Sequence, residues 1–122
     1  MSLYTYMARL ERVVDGDTYV LRVDCGFSIS FTEKFRLNGA NTPEKFGRNA
    51  SDEGRTASEF VAALLRAQPE PFEIRTYKDK KGKYGRYLVD IILTHDENGE
   101  LMPARSLSGY LITKDIAEAY KG

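Results

Sequence analysis

The chain is poor in the residues that staple or ligate. It has one cysteine, Cys25, and one histidine, His95. A single thiol excludes an internal disulfide, and Cys25 with His95 is too small a set for a zinc or iron site. No apolar run approaches the roughly 20 residues that a membrane-spanning helix needs, so no membrane partner is expected. Low-complexity tracts, linkers and internal repeats are also missing. There is no excess of charge of either sign: 18 basic and 18 acidic residues cancel. That excludes bulk electrostatic adhesion to nucleic acid as the basis of function.

What remains is an ordinary globular composition, 42% hydrophobic and 30% charged over 122 residues. It is enough for one domain, 1–122, with a single core. Arg9, Glu11 and Arg12 interrupt the start of the chain, so no leader peptide is legible. With Met1 in place, the expected location is cytoplasmic, or secreted if a leader has been removed. A monomer is expected.

Charge is spread unevenly. Lys78, Lys80, Lys81, Lys83 and Arg86 fall within nine residues, against Asp79 alone. Two readings fit: a solvated hairpin loop, or a loop that meets a phosphate-bearing substrate.

The first half reads as strands. Residues 7–14 form one candidate. In 18–23, Tyr19, Leu21 and Val23 alternate with more polar positions, and in 29–37 so do Ile29, Phe31, Phe35 and Leu37. Cys25-Gly26 between them makes a hairpin. Residues 45–54 are polar and aperiodic, and read as a loop. In 55–68, Ala57, Phe60, Val61, Leu64 and Leu65 share one face of a helix. Thr56 and Glu59 have capping-box spacing, with a cap one turn earlier equally compatible. Pro69 ends the helix. Strands follow at Phe72-Ile74-Thr76 and at Tyr87-Val89-Ile91-Leu93, and Asn98-Gly99 is a hairpin-type turn. Residues 104–114 read as a weaker helix, interrupted by Gly109. The order of three strands, helix, two strands and helix predicts a mainly β fold with α: a five-stranded OB-fold Greek-key barrel with two to three helices.

Polar residues of chemical interest cluster in short motifs: Val13-Val14-Asp15-Gly16-Asp17-Thr18, then Phe35-Arg36-Leu37 followed by Asn41-Thr42-Pro43-Glu44, then Lys83-Tyr84-Gly85-Arg86. If the hairpin turns near Cys25, Asp17 and Arg36 lie equally far from its tip. The alternation puts them on opposite faces, so their meeting requires a bulge, for which Glu33 is a candidate. Together, Asp17, the Asn41 amide and the Thr42 carbonyl offer oxygen ligands suited to Ca²⁺ or Mg²⁺. Glu44 is placed to take a proton from water. Arg36 and Arg86 can each grip a phosphate through two N–H groups.

These motifs, in this order and at this spacing, resemble the staphylococcal nuclease family over nearly the whole chain. The resemblance implies an OB-fold and Ca²⁺-dependent hydrolysis of DNA and/or RNA, leaving a 3′-phosphate. It implies Asp17, Asn41 and Thr42 as metal ligands, with Asp15 supporting them. Arg36, Glu44 and Arg86 take the catalytic positions, while Lys83, Tyr84 and Tyr120 match substrate-binding positions. Asn41 departs from the family pattern, which has aspartate there. The lost charge predicts weaker calcium binding, toward ~10⁻⁴–10⁻³ M. The alternative is a catalytically weak or inactive nucleic-acid-binding module of the same family.

Overall fold

The computed structural model describes residues 4–43, 51–78 and 87–119. Eight strands and two helices follow in the order β1 (Tyr4–Asp15), β2 (Thr18–Asp24), β3 (Ser30–Leu37), β4 (Ala40–Asn41), α1 (Asp52–Arg66), β5 (Phe72–Lys78), β6 (Tyr87–His95), β7 (Leu101–Ser106), α2 (Leu107–Thr113) and β8 (Glu118–Ala119). Antiparallel pairs link β3, β2, β1, β5 and β6 in that order, and a parallel pairing of β3 with β6 closes the ring. The product is the expected five-stranded OB-fold barrel. Closure leaves no unpaired edge among these strands.

Period-two alternation points one face of each strand inward. Tyr19, Leu21, Phe35, Leu37, Ile74, Val89, Ile91 and Leu93 are buried and form one cluster with Val61, Leu64 and Leu65 of α1 and Leu107 and Leu111 of α2. β1 carries two register shifts against β2, between Leu10 and Arg12 and between Val13 and Asp15. Such bulges bend a long strand so that it can pair on both sides of a small barrel. The β2–β3 register runs unbroken from Thr18↔Arg36 to Asp24↔Ser30, so no bulge occurs at Glu33.

Helix α1 begins one turn before the Thr56–Glu59 spacing. Ser51 is its cap, accepting from the Gly54 amide at 3.0 Å, and Asp52 and Glu53 occupy the first turn. Negative charge there complements the helix dipole. Residues 52–54 are therefore helical rather than loop. Beyond the helix, buried Gln68 ties α1 to the end of β6. Its Nε2 donates to the Leu64 and His95 carbonyls (2.8 and 2.6 Å), and its Oε1 accepts from the Thr94 and His95 amides (3.0 and 3.1 Å).

The second helix is shorter than its sequence pattern. Ala104 and Arg105 belong to strand β7, which pairs with β6 across the Asn98-Gly99 turn. Ser106 caps α2 by accepting from the Gly109 amide at 3.2 Å. A Cβ at Gly109 would stand 3.0 Å from that Ser106 hydroxyl, so the glycine is part of the cap rather than an interruption.

Candidate functional site

Asp15-Gly16-Asp17-Thr18 is the turn between β1 and β2. Two contacts set its shape. The Tyr19 hydroxyl, wholly buried, donates to the Gly16 carbonyl at 2.6 Å. Gly16 itself packs against Thr42: a Cβ there would lie 2.5 Å from Thr42 Oγ1 and 2.9 Å from Thr42 Cβ. A side chain at position 16 is thus excluded by close approach, not by backbone conformation. Burial first, then the charges of Asp17 and Asp90, push the Tyr19 phenol well above the usual tyrosine range. It stays protonated and remains a donor.

Asp17 precedes β2, and its carbonyl accepts from the Leu37 amide at 2.8 Å. Its carboxylate is buried and reaches around the strand end. Oδ2 accepts from the Thr42 amide at 3.1 Å and lies 3.6 Å from Nη2 of Arg36, while Oδ1 accepts from the Thr18 hydroxyl at 3.3 Å. The same Arg36 Nη2 donates to Asn41 Oδ1. Asp17, Arg36, Asn41 and Thr42 therefore converge where β2 starts and β3 ends. They do so without a bulge between β2 and β3, because Asp17 lies in the turn and is not bound by the alternation of the strand.

Chain direction explains the convergence. Leu37 ends β3, Gly39 turns the chain with φ +91°, and two-residue β4 runs back beside β8 through Ala40↔Ala119 and Asn41↔Glu118. Thr42 then lies on the β1–β2 turn, 8% exposed. Its hydroxyl is buried and, among the described residues, finds no hydrogen-bond partner. A buried polar atom without a partner is uncommon and costs on the order of 1–3 kcal/mol.

Around Asp17 the donors are its own carboxylate and the Asn41 amide oxygen, hard oxygens of the kind that suits Ca²⁺ or Mg²⁺, while Thr42, whose carbonyl is the third expected ligand, meets Asp17 through its amide. The donors carry one formal negative charge. Among the described residues, no group of three or more His, Cys, Asp and Glu side chains could hold a metal ion. The Arg36 guanidinium already sits against both Asp17 and Asn41. Asp17 Oδ2 and Asn41 Oδ1 are oxygens of the type that calcium or magnesium takes, and both face the Arg36 guanidinium.

Glu44, Lys83, Tyr84, Arg86 and Tyr120 lie outside the described residues, as do Lys80 and Lys81. His95 is structural, with Nδ1 at 2.9 Å from the Thr94 hydroxyl and its backbone bonded to Gln68. Cys25 is an exposed turn residue. Among the described residues, no helix is long and apolar enough to cross a membrane.

Two residues that position the site gave no sequence signal. The Tyr19 hydroxyl was hidden in an apolar alternation, and the contact of Gly16 with Thr42 joins positions 26 apart. Asp90 is a third unsignalled residue, a buried acid in β6. Ser108 donates to it from its amide (3.2 Å) and its hydroxyl (2.7 Å), and the Ile91 amide donates at 2.9 Å. Burial nevertheless raises its carboxyl above the usual range. Compared with known families and with curated proteins, the chain matches no family model and no curated protein.

Proposed function

We propose that the chain hydrolyses phosphodiester bonds in DNA and/or RNA with the help of a divalent cation, Ca²⁺ in the first instance. The observation that carries this reading is the convergence of Asp17, Arg36, Asn41 and Thr42 at one end of the β2–β3 pair. Support also comes from the ordered motifs of the sequence and their resemblance to the staphylococcal nuclease family. Asp17, Asn41 and Thr42 would hold the cation, which when bound supplies Lewis-acid polarisation of a phosphoryl oxygen.

The chain's own residues do the rest. Arg36 is half-buried and held through Nη2 by Asp17 and Asn41, which leaves its Nε and Nη1 N–H groups to grip a phosphate. A fixed guanidinium is worth most where charge grows on phosphorus-bound oxygen. Glu44 takes a proton from the attacking water, the water oxygen bonds to phosphorus, and the 5′ O–P bond breaks. The 5′-oxygen leaves as a hydroxyl by taking a proton from solvent water, Glu44 returns its own proton to solvent, and the 3′-phosphate stays behind. Arg86 shares the phosphate, and Lys83, Tyr84 and Tyr120 contact nucleotide. These five roles rest on sequence order and resemblance alone.

One observation favours the second reading, a catalytically silent nucleic-acid-binding module. Arg36 engages two of the oxygens that a cation would use, those of Asp17 and Asn41, and Asn41 contributes no charge against it. Digestion of single-stranded DNA with calcium titrated upward from the micromolar range separates the two. The expected outcome is cutting that needs millimolar calcium and falls about 10²–10⁴-fold in Glu44→Gln with binding retained. Cutting by Glu44→Gln at the parent rate would remove Glu44 as the base. Binding without cutting at any calcium concentration would leave the module reading.

A further inference from the structure

A row of cations crosses the outer face of the barrel. Residues directly opposite one another in an antiparallel pair share a face of the sheet. Tyr19, Leu21 and Val23 of β2 are in the core, so Thr18, Val20, Arg22 and Asp24 are on the outer face, and their partners with them. In β3 those partners are Arg36, Lys34, Thr32 and Ser30. In β1 they include Arg12 opposite Val20 and Arg9 opposite Arg22. Arg9 and Arg12 would fall on opposite faces of a regular strand, and the register shift between Leu10 and Arg12 brings them to one. Outward from the candidate phosphate site, the face therefore carries Arg36, then Arg12 and Lys34 on either side of Val20, then Arg9 beside Arg22. Arg9, Arg12, Arg22 and Lys34 are exposed. With ~3.4 Å per residue along a strand and ~4.8 Å between strands, the diagonal from Arg36 to Arg9 is roughly 17 Å.

Such a row carries a standing cost. Arg9 and Arg22 oppose each other directly, and like charges so placed destabilise a strand pair. Among the described residues, Arg12, Arg22 and Lys34 make no ion pair. Arg22 Nε donates to the Ser30 hydroxyl at 3.4 Å. Acids stand at the borders of the row. Glu70 lies 3.9 Å from Arg9. Glu11 falls outside the strand pairing and lines a recess with Arg66 and Gln68. Asp24 closes the far end, where its Oδ1 accepts from the Gly26 amide at 2.8 Å. There Arg9 and Arg22 line a groove of about 370 Å³ with Ser28 and Ser30. Guanidinium groups beside hydroxyls suit phosphate, which can take two N–H groups from one arginine. In a chain whose charges cancel, 18 against 18, this row is a local feature, and its complement is an anionic chain laid across it.

We infer that the outer face of β1, β2 and β3 is a track for the phosphodiester backbone of a nucleic-acid strand, which leaves the phosphate at Arg36 and crosses Lys34, Arg12 and Arg22 to Arg9. This rests on the reading that the substrate is nucleic acid. It adds a binding surface away from the reacting phosphate. Phosphate is favoured over the carboxylates of an acidic peptide because the row is mostly arginine and is continuous with Arg36.

The test is binding of a fluorescein-labelled single strand of about twelve nucleotides, within the ~4–16 per OB-fold, followed by anisotropy as salt is raised. EDTA is present so that the strand stays intact. Each phosphate contact on a single strand contributes about 0.7 to the slope of log K against log salt concentration. Arg9→Gln with Arg22→Gln should therefore flatten the slope by about 1.4 and weaken binding about 25-fold at 0.1 M salt. The same charge change on α1 and β7, Arg55→Gln with Arg105→Gln, should leave the slope as in the parent. Arg22→Gln alone should weaken binding yet raise the urea midpoint of the free protein, because the opposed charge is gone. Should the double variant fail to fold by circular dichroism, Lys34→Gln carries the test, with a slope flatter by about 0.7. Equal losses in the two double variants overturn the track in favour of diffuse attraction. So does poly-glutamate that displaces the labelled strand as well as unlabelled strand does at matched charge, which would make the face a surface for acidic protein. Arg36→Gln keeps the two readings separable. If it weakens binding while Arg9→Gln with Arg22→Gln does not, the nucleic-acid reading stands and the track falls. A parent that does not bind the strand removes both.

Discussion

Gly16→Ala tests whether close approach shapes the site. A Cβ at position 16 would fall 2.5 Å from Thr42 Oγ1, 2.9 Å from Thr42 Cβ and 3.0 Å from Thr42 Cγ2, where ordinary contact begins at 3.4 Å. Rotating the threonine moves Oγ1 and Cγ2 but not Cβ, so the backbone of one segment must retreat by about 0.5 Å or more. The Thr42 amide is bonded to Asp17 Oδ2 at 3.1 Å, and such a retreat lengthens that bond past 3.5 Å. Overpacking costs about 1–3 kcal/mol, and a lost bond to a buried carboxylate about 1.5–3 kcal/mol. Allowing for partial relaxation, the expected loss is about 2–4 kcal/mol, measured by urea denaturation at constant m-value. The sign is diagnostic. Gly16 lies outside the left-handed region, so without the clash alanine would stabilise by about 0.4–1 kcal/mol through the unfolded chain. Thr42→Gly, which removes all three contacting atoms, should be coupled to Gly16→Ala by about 1 kcal/mol or more in a double-mutant cycle. A stabilised Gly16→Ala, or additive effects, would refute the packing argument.

Three further outcomes follow from buried polar groups. Tyr19→Phe leaves the Gly16 carbonyl without its donor and should cost about 1–3 kcal/mol in urea; a neutral effect would show that the bond to Gly16 is not needed. Gln68→Ala strips the Thr94 and His95 amides of their acceptor and should cost about 2–4 kcal/mol, seen as faster amide exchange at the end of β6; unchanged exchange there would contradict the link between α1 and β6. For Asp90→Asn the prediction concerns pH. The folded carboxyl holds its proton more tightly than the unfolded one, whose ordinary value is 3.8. Its contribution is complete below that value and is lost as pH rises through the higher folded value. The parent should therefore lose stability over that window more steeply than Asp90→Asn, and identical slopes would dismiss the buried acid as the cause.

Where one rule dominated, the fold was legible. Strand β2 alternates cleanly, and the pairing of Tyr19 with Phe35 and Leu21 with Glu33 centres the expected hairpin on Phe27, one residue away from the register that pairs Asp17 with Arg36. Helix α1 showed its apolar face, though Ser51, not Thr56, caps it. Ala104 and Arg105 misled because their composition suits a helix, while pairing with β6 holds them in β7. Pro103 in that strand is tolerated because β7 lies at the end of the strand order.

The candidate site was legible as a set of residue types but not as a geometry. Alternation assigned Asp17 and Arg36 to opposite faces, and from strand periodicity alone that assignment is sound. It fails because periodicity governs residues inside a ladder, and Asp17 stands one residue before β2. A turn residue can aim its side chain around the strand end, which no period-two argument anticipates. The same freedom explains why the site needs so many fixed neighbours. The Tyr19 hydroxyl holds the Gly16 carbonyl, Thr42 packs where a Cβ would be, and the Leu37 amide holds the Asp17 carbonyl. Each removes one way in which the turn could move. Because Gly16, Asp17 and Thr42 touch in sequence and in space, a change at any of them should disturb Arg36 through Asp17, even though Arg36 itself is anchored in the unbroken ladder of β3.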